Sequence, residues 1–264
     1  MKIKANGIQI NYVLSGKKGA PVVMLSHSLG SSLEMWDPQM PALEPHFRVL
    51  RYDTRGHGES DTPEGPYSLE QLGADAVGFM DALDIERVHW VGLSMGGMIG
   101  QCIALNYPDR LITLALCDTA AVMPPESKQI RQERIDIARS QGMAALAQST
   151  MERWFTEPYL KQNPPQVERI RNIFLKTPVA GYVGCMEAID QLNYLERLSE
   201  INKPTLIIVG EEDLGTPVSA SKSMDERISD STLVMLKSAA HLSNVEQAEA
   251  FNDALIRFLL SHRS

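Results

Sequence analysis

The sequence predicts an α/β protein: a mostly parallel central sheet with helices on both faces, interrupted by an inserted helical cap. Short apolar, β-branched or Leu-rich runs alternate with helical stretches through residues 1–121. Alternating strand and helix implies a parallel sheet covered on both sides. The rhythm then stops for about 75 residues, far longer than an ordinary loop, and resumes near residue 204. A Gly-x-Ser-x-Gly pentapeptide also stands directly between a strand and a helix.

Taken in order, MKIKANGIQINYVLSG reads as a hairpin turning at Asn6-Gly7. The runs at 21–28, 47–53, 87–94 and 111–118 end in polar or Gly residues and read as strands buried on both faces. Residues 68–84 repeat apolar positions at three- and four-residue spacing, as an amphipathic helix does. From Pro124 to about Arg197 come charged, Met- and Gln-containing helical segments, punctuated by Pro124-Pro125 and Pro164-Pro165. Strands follow at 204–210 and 231–238, then a final helix over about 245–261. The division is therefore a core of residues 1–121 and 198–264 and a cap or lid of 122–197.

Composition narrows the function. With 264 residues, 44% apolar and 22% charged, the chain has the balance of a soluble globular protein. No apolar stretch approaches the roughly 20 residues of a membrane span. A net charge of −8 argues against a nucleic-acid partner, which needs a basic face. Residues 122–200 carry ten basic and ten acidic side chains, so the whole deficit lies elsewhere, and an anionic small molecule meets less repulsion there. Three widely spaced cysteines, no metal-type cluster and no glycosylation sequon point to a reducing cytoplasm.

Gly92-Leu93-Ser94-Met95-Gly96 carries the chemistry. A serine on a tight strand-to-helix turn lifts its hydroxyl clear of the sheet, and the flanking glycines let neighbouring backbone pass. The helix N-terminus behind it favours charge developing on a carbonyl oxygen. Such a nucleophile needs a base, and the base an orienting acid, in the chain order Ser, acid, His. His241, beyond the strand at 231–238, fits the base; His27 and His57 precede the serine. Asp213, beyond the strand at 204–210, fits the acid, with Asp118, Glu211 and Glu212 as alternatives. Two backbone N–H groups complete an oxyanion hole: Met95, and Leu29 or next Ser28 from the loop after the first buried strand. Arg153 and Trp154 in ERWF are candidates for carboxylate pairing and pocket wall; the alternative is a helix-surface charge and a buried cap aromatic.

These residues resemble the α/β-hydrolase fold along the whole chain. Asp53-Thr-Arg-Gly-His-Gly-Glu-Ser60 looks like that family's D-x-R-G-x-G-x-S turn, Gly210-Glu-Glu-Asp213 like its acid loop and Ala240-His241 like its histidine loop. The closest likeness is to 3-oxoadipate enol-lactonases, through SHSLGSSLEMWDPQ (26–39), FRVLRYDTRGHGES (47–60), GLSMGGMIGQ (92–101) and ERWF. Most α/β-hydrolases carry His-Gly in the oxyanion loop; here it is His27-Ser28, a change the enol-lactonases share. The resemblance implies a Ser94/Asp213/His241 triad opening a small anionic lactone, with no metal or organic cofactor. Rival readings are a general carboxylesterase, a C–C bond hydrolase, or a ligand sensor retaining the triad. Ser94 argues against a haloalkane dehalogenase, since that chemistry needs Asp at this position.

Overall fold

The structure, a computed structural model, describes residues 1–263. Eight strands form one sheet: β1 (Lys2–Ala5), β2 (Ile8–Gly16), β3 (Val22–Ser26), β4 (Arg48–Tyr52), β5 (Val88–Leu93), β6 (Leu111–Cys117), β7 (Thr205–Gly210) and β8 (Ser231–Leu236). Their spatial order is β1-β2-β4-β3-β5-β6-β7-β8. The first three neighbours pair antiparallel (β1 with β2, β2 with β4); every later pair is parallel. Asn6 (φ 44°) and Gly7 (φ 84°) both take positive φ, the hairpin turn that matches strand twist.

Alternate side chains along the buried strands feed two cores. Met24 and Trp90 join the layer of helices Leu69–Ala82 and Met95–Asn106, while Val23, Leu25 and Val91 pack with Trp36, Phe251 and Leu255 on the other face. Ser68 caps helix Leu69–Ala82 by accepting from the Gln71 N–H.

The sheet order reverses at β3, with β4 on one side and β5 on the other. Ligands of open α/β sheets bind where the order reverses, beyond the strand carboxyl ends. Ser26 and Gly92 are register partners, so the loop Ser28-Leu29 and the turn at Ser94 emerge side by side.

Between β6 and β7 run five α-helices: Lys128–Gln141, Ala144–Trp154, Glu157–Gln162, Pro165–Lys176 and Val179–Asp190. A single antiparallel bridge, Val122 to Asn193, closes the base of this excursion. Helix Val179–Asp190 reaches the core where Gly181 meets Gly56: a Cβ on Gly181 would strike the Gly56 carbonyl oxygen.

The last helix differs from expectation. It is broken into Ser243–Glu246 and Ala248–Ser261, with Gln247 (φ −123°, ψ 51°) outside the helical region. The Glu246 carboxylate accepts from the Ala240 N–H at 2.9 Å and from the Thr156 N–H at 3.1 Å, while Gln247 Nε2 donates to the Ser238 carbonyl. These long-range bonds hold the first turn toward the histidine loop, an outcome invisible to helical periodicity.

Candidate active site

Ser94 follows β5 and opens helix Met95–Asn106 with φ 55° and ψ −115°. A side chain held there costs about 1–3 kcal/mol, tolerated only where the surroundings over-determine it. They do so here. The Ser94 N–H donates to the Cys117 carbonyl at 2.9 Å, and the Thr119 hydroxyl donates to the Ser94 carbonyl at 2.7 Å. A Cβ on Gly92 would strike the Gly96 carbonyl oxygen, and one on Gly96 the Ser26 carbonyl oxygen. Both glycines are therefore dictated by backbone approaching backbone.

His241 Nδ1 stands 2.8 Å from Asp213 Oδ2. Asp213 also accepts from the Gly215 N–H at 2.7 Å, the Thr216 N–H at 3.0 Å and the Thr216 hydroxyl at 2.7 Å. Burial pushes its carboxyl up, but His241 and the Thr216 donors outweigh burial and hold it below the ordinary carboxylate value. An ionised Asp213 makes Nδ1 the protonated nitrogen, leaving the other ring nitrogen as acceptor. Ser94 and His241 line the same cavity; no hydrogen bond joins them in this structure. Catalytic pairs without substrate are often long and tighten in the complex.

The alternative acids lie elsewhere. Asp118 (φ 43°) is fully buried, accepting from the Gly210 N–H at 2.9 Å and from the Ser243 hydroxyl. Burial, then the charge of Asp213, push its carboxyl well up. Glu211 and Glu212 are exposed.

The loop after β3 separates its three N–H groups. Ser28 donates to Met35 Sδ at 3.4 Å and Gly30 donates to His57 Nε2 at 2.9 Å. Among the described residues, Leu29 N–H and Met95 N–H have no protein acceptor. His57 and His27 are both spent on backbone. His57 Nδ1 faces the Arg55 carbonyl at 3.2 Å; His27 faces the Ser28 carbonyl through Nδ1 at 2.8 Å and accepts the Thr54 N–H through Nε2 at 2.9 Å. Burial holds His27 down to about 4 and His57 down to about 3, so both are neutral near pH 7. Neither is available as a base.

The D-x-R-G-x-G-x-S turn is scaffold. Asp53 accepts from Leu33, Glu59 and Asn11, and a Cβ on Gly58 would collide with it. Arg55 forks onto buried Asp75 at 2.6 and 2.8 Å.

The cavity that Ser94 lines measures about 110 Å³. Ser28, Leu29, Arg153 and Trp154 line it, as do Arg134, Thr216 and Tyr182, which the sequence did not single out. A signal for Arg134 was present: with Arg131, Ile135 and Ala138 it repeats at helical spacing, placing a cation beside the apolar stripe of helix Lys128–Gln141. Thr216 had no signal, since its role depends on the turn that folds it back onto Asp213. Among the described residues no cluster of His, Cys, Asp or Glu could hold a metal ion, and no helix is long and apolar enough to cross a membrane.

Comparison with known proteins identifies the family. Residues 21–248 match the family model of the alpha/beta hydrolase fold. The chain is 37% identical to 3-oxoadipate enol-lactonase 2 of Acinetobacter baylyi over 253 residues, covering 96% of this chain and 94% of that protein. It is 30% identical to a putative carbamate hydrolase of Agrobacterium fabrum, covering 91% of this chain and 94% of that one. The crystal structure of the enol-lactonase from Burkholderia xenovorans LB400 superposes with a TM-score of 0.95 at 41% identity, covering 98% and 100% of the two chains. The strand order, the serine turn and these likenesses together place the chain in the alpha/beta hydrolase fold family.

Proposed function

We propose that this protein is a serine hydrolase that opens the ring of 3-oxoadipate enol-lactone, giving 3-oxoadipate, a step of aromatic catabolism through the β-ketoadipate pathway. The observation that supports it most is one small cavity lined by Ser94, His241 and Leu29, with Asp213 paired to His241 and, among the described residues, the N–H groups of Leu29 and of Met95, next in the chain to Ser94, left without a protein acceptor. The enol-lactonase relatives supply the substrate.

In this reading His241 takes the Ser94 proton as Oγ adds to the lactone carbonyl. Leu29 and Met95 N–H groups hold the oxyanion, and Asp213 stabilises the imidazolium. Collapse breaks the ring C–O bond and the enol oxygen leaves, protonated by His241, still tethered to the acyl-enzyme. The enol relaxes to the ketone. Water, deprotonated by His241, then cleaves the Ser94 ester and restores the free hydroxyl.

The test compares freshly generated enol-lactone with p-nitrophenyl acetate, for wild type and Ser94→Ala. A kcat/KM for the lactone near or above about 10⁵ M⁻¹s⁻¹, far above the simple ester and abolished by the substitution, supports the reading. Comparable slow rates on both substrates sink the lactonase assignment while leaving Ser94 as nucleophile.

A further inference from the structure

The cavity wall carries three arginines, and only one of them is neutralised. Arg131 pairs with Asp190 at 2.6 Å. Arg134 and Arg153 have no carboxylate within ion-pair distance among the described residues, and the cavity wall contains no Asp or Glu at all. Arg134 is nonetheless held in one orientation. Its Nη2 donates to Thr150 Oγ1 at 2.6 Å and its Nε to the Tyr182 hydroxyl at 3.2 Å. That hydroxyl thereby accepts a bond while its own proton finds no acceptor among the described residues, in a side chain only 2% exposed.

Arg153 approaches from the next helix, Ala144–Trp154. Its Nη2 lies 3.5 Å from where a Cβ on Gly215 would stand, beside the Asp213–His241 pair. It makes no side-chain hydrogen bond of its own among the described residues. Arg153 is exposed as a residue, yet partial desolvation of its guanidinium, then the positive charge of Arg134, hold it below its ordinary value. Two like charges facing one cavity repel each other, and an anion placed between them would remove that repulsion.

We infer that Arg134, Arg153 and the Tyr182 hydroxyl form a carboxylate subsite that makes this enzyme selective for substrates bearing a free carboxylate beside the scissile ester. The inference rests on the hydrolase reading above and deepens it by naming the residues that recognise the substrate's charge. Arg134 is the preorganised half, fixed by its protein partners before any ligand arrives. Arg153 is the adaptable half, free to close on the anion. Charge-assisted bonds from guanidinium to carboxylate are about twice as strong as neutral ones, so removing the ligand's charge is expected to cost about 30-fold or more.

The test is a matched pair: a saturated γ-lactone carrying a carboxymethyl group on the carbon that bears the ring oxygen, and the same lactone with the carboxylate replaced by its primary amide. Wild type is expected to favour the acid over the amide by about 30-fold or more in kcat/KM, mostly through KM. Arg134→Gln and Arg153→Gln should each cut that ratio at least tenfold, whatever they do to the amide alone. Because Arg134 also braces neighbouring side chains, Arg153→Gln, with no hydrogen bond to lose, keeps the result clean. A wild-type ratio near one, or a ratio unchanged in both variants, overturns the subsite.

Calorimetric titration with succinate separates this failure from failure of the hydrolase reading. If Ser94→Ala opens the lactones as fast as wild type, that reading fails and succinate binding alone judges the subsite. Binding to wild type that is lost in both arginine variants supports it; no binding, or binding unaltered in both variants, overturns it.

Discussion

The Gly30 N–H donates to His57 Nε2 at 2.9 Å, so a neutral imidazole in one loop sets the direction of the peptide in another. With Gly30 and Ser28 both committed, Leu29 is left as the uncommitted donor of that loop. His57→Ala should therefore lower kcat by about 10- to 100-fold with little change in KM, and destabilise the fold by about 1–3 kcal/mol through the orphaned Gly30 donor. His241→Ala should cost far more. Steady-state kinetics of the two variants, beside their urea unfolding curves, check the ranking; equal losses would make His57 a rival base.

Strain at Ser94 predicts a trade of activity against stability. The φ of 55° suits glycine better than serine. Ser94→Gly should abolish turnover yet raise stability by about 1 kcal/mol, relieving part of a strain of about 1–3 kcal/mol. Denaturant unfolding beside an activity assay decides it, and a destabilised Ser94→Gly would mean the turn is not strained.

Asp213 and Asp118 should respond differently to amidation. Asp213→Asn takes the charge away from His241 Nδ1 and offers it the wrong partner; a kcat loss of about 10⁴ is expected with the fold intact. Asp118 instead joins Gly210, three residues before Asp213, to Ser243, two residues after His241. Asp118→Asn keeps one acceptor oxygen, so its kcat loss should stay within about tenfold while the melting temperature falls. A loss equal to that of Asp213→Asn would reassign the acid.

Acid should unfold this protein earlier than its carboxylates require. Burial holds His27 and His89 down to about 4 and His57 down to about 3, against 6.5 when unfolded. Between pH 6.5 and those values the unfolded chain binds more protons than the folded one, so stability rises with pH there and is lost as pH falls. Over the full window this amounts to about 3 kcal/mol for His27 and for His89 and about 5 kcal/mol for His57. Urea unfolding at pH 7.5, 6 and 5 should show a steep decline, flattened in His89→Gln, which lies away from the cavity. A flat profile from pH 7.5 to 5 would contradict the neutral, buried assignment of these rings.

Much of this molecule was legible in one dimension. Predominantly apolar runs such as 88–93 and 205–210 determine buried parallel strands, because a sheet covered on both faces accommodates them. Gly92 and Gly96 around Ser94 mark a place where backbone must pass backbone, and in the structure the position a Cβ would take on each lies against a carbonyl oxygen. His241 and Asp213 were legible as loop residues beyond late strands, and those loops do meet, at 2.8 Å. What the tertiary structure alone decided lies in pairings between distant segments. The break at Gln247 follows from Glu246 reaching Thr156, ninety residues away. That the Leu29 N–H is left uncommitted while those of Ser28 and Gly30 are not follows from Met35 and His57 accepting from its two neighbours. Arg131 and Arg134 look alike on one helix, yet Asp190 neutralises the first and leaves the second charged toward the cavity. Periodicity reports which face of an element is buried; it carries no information about which partner the opposite segment presents, and that partner decides whether a charge is silenced or left to bind.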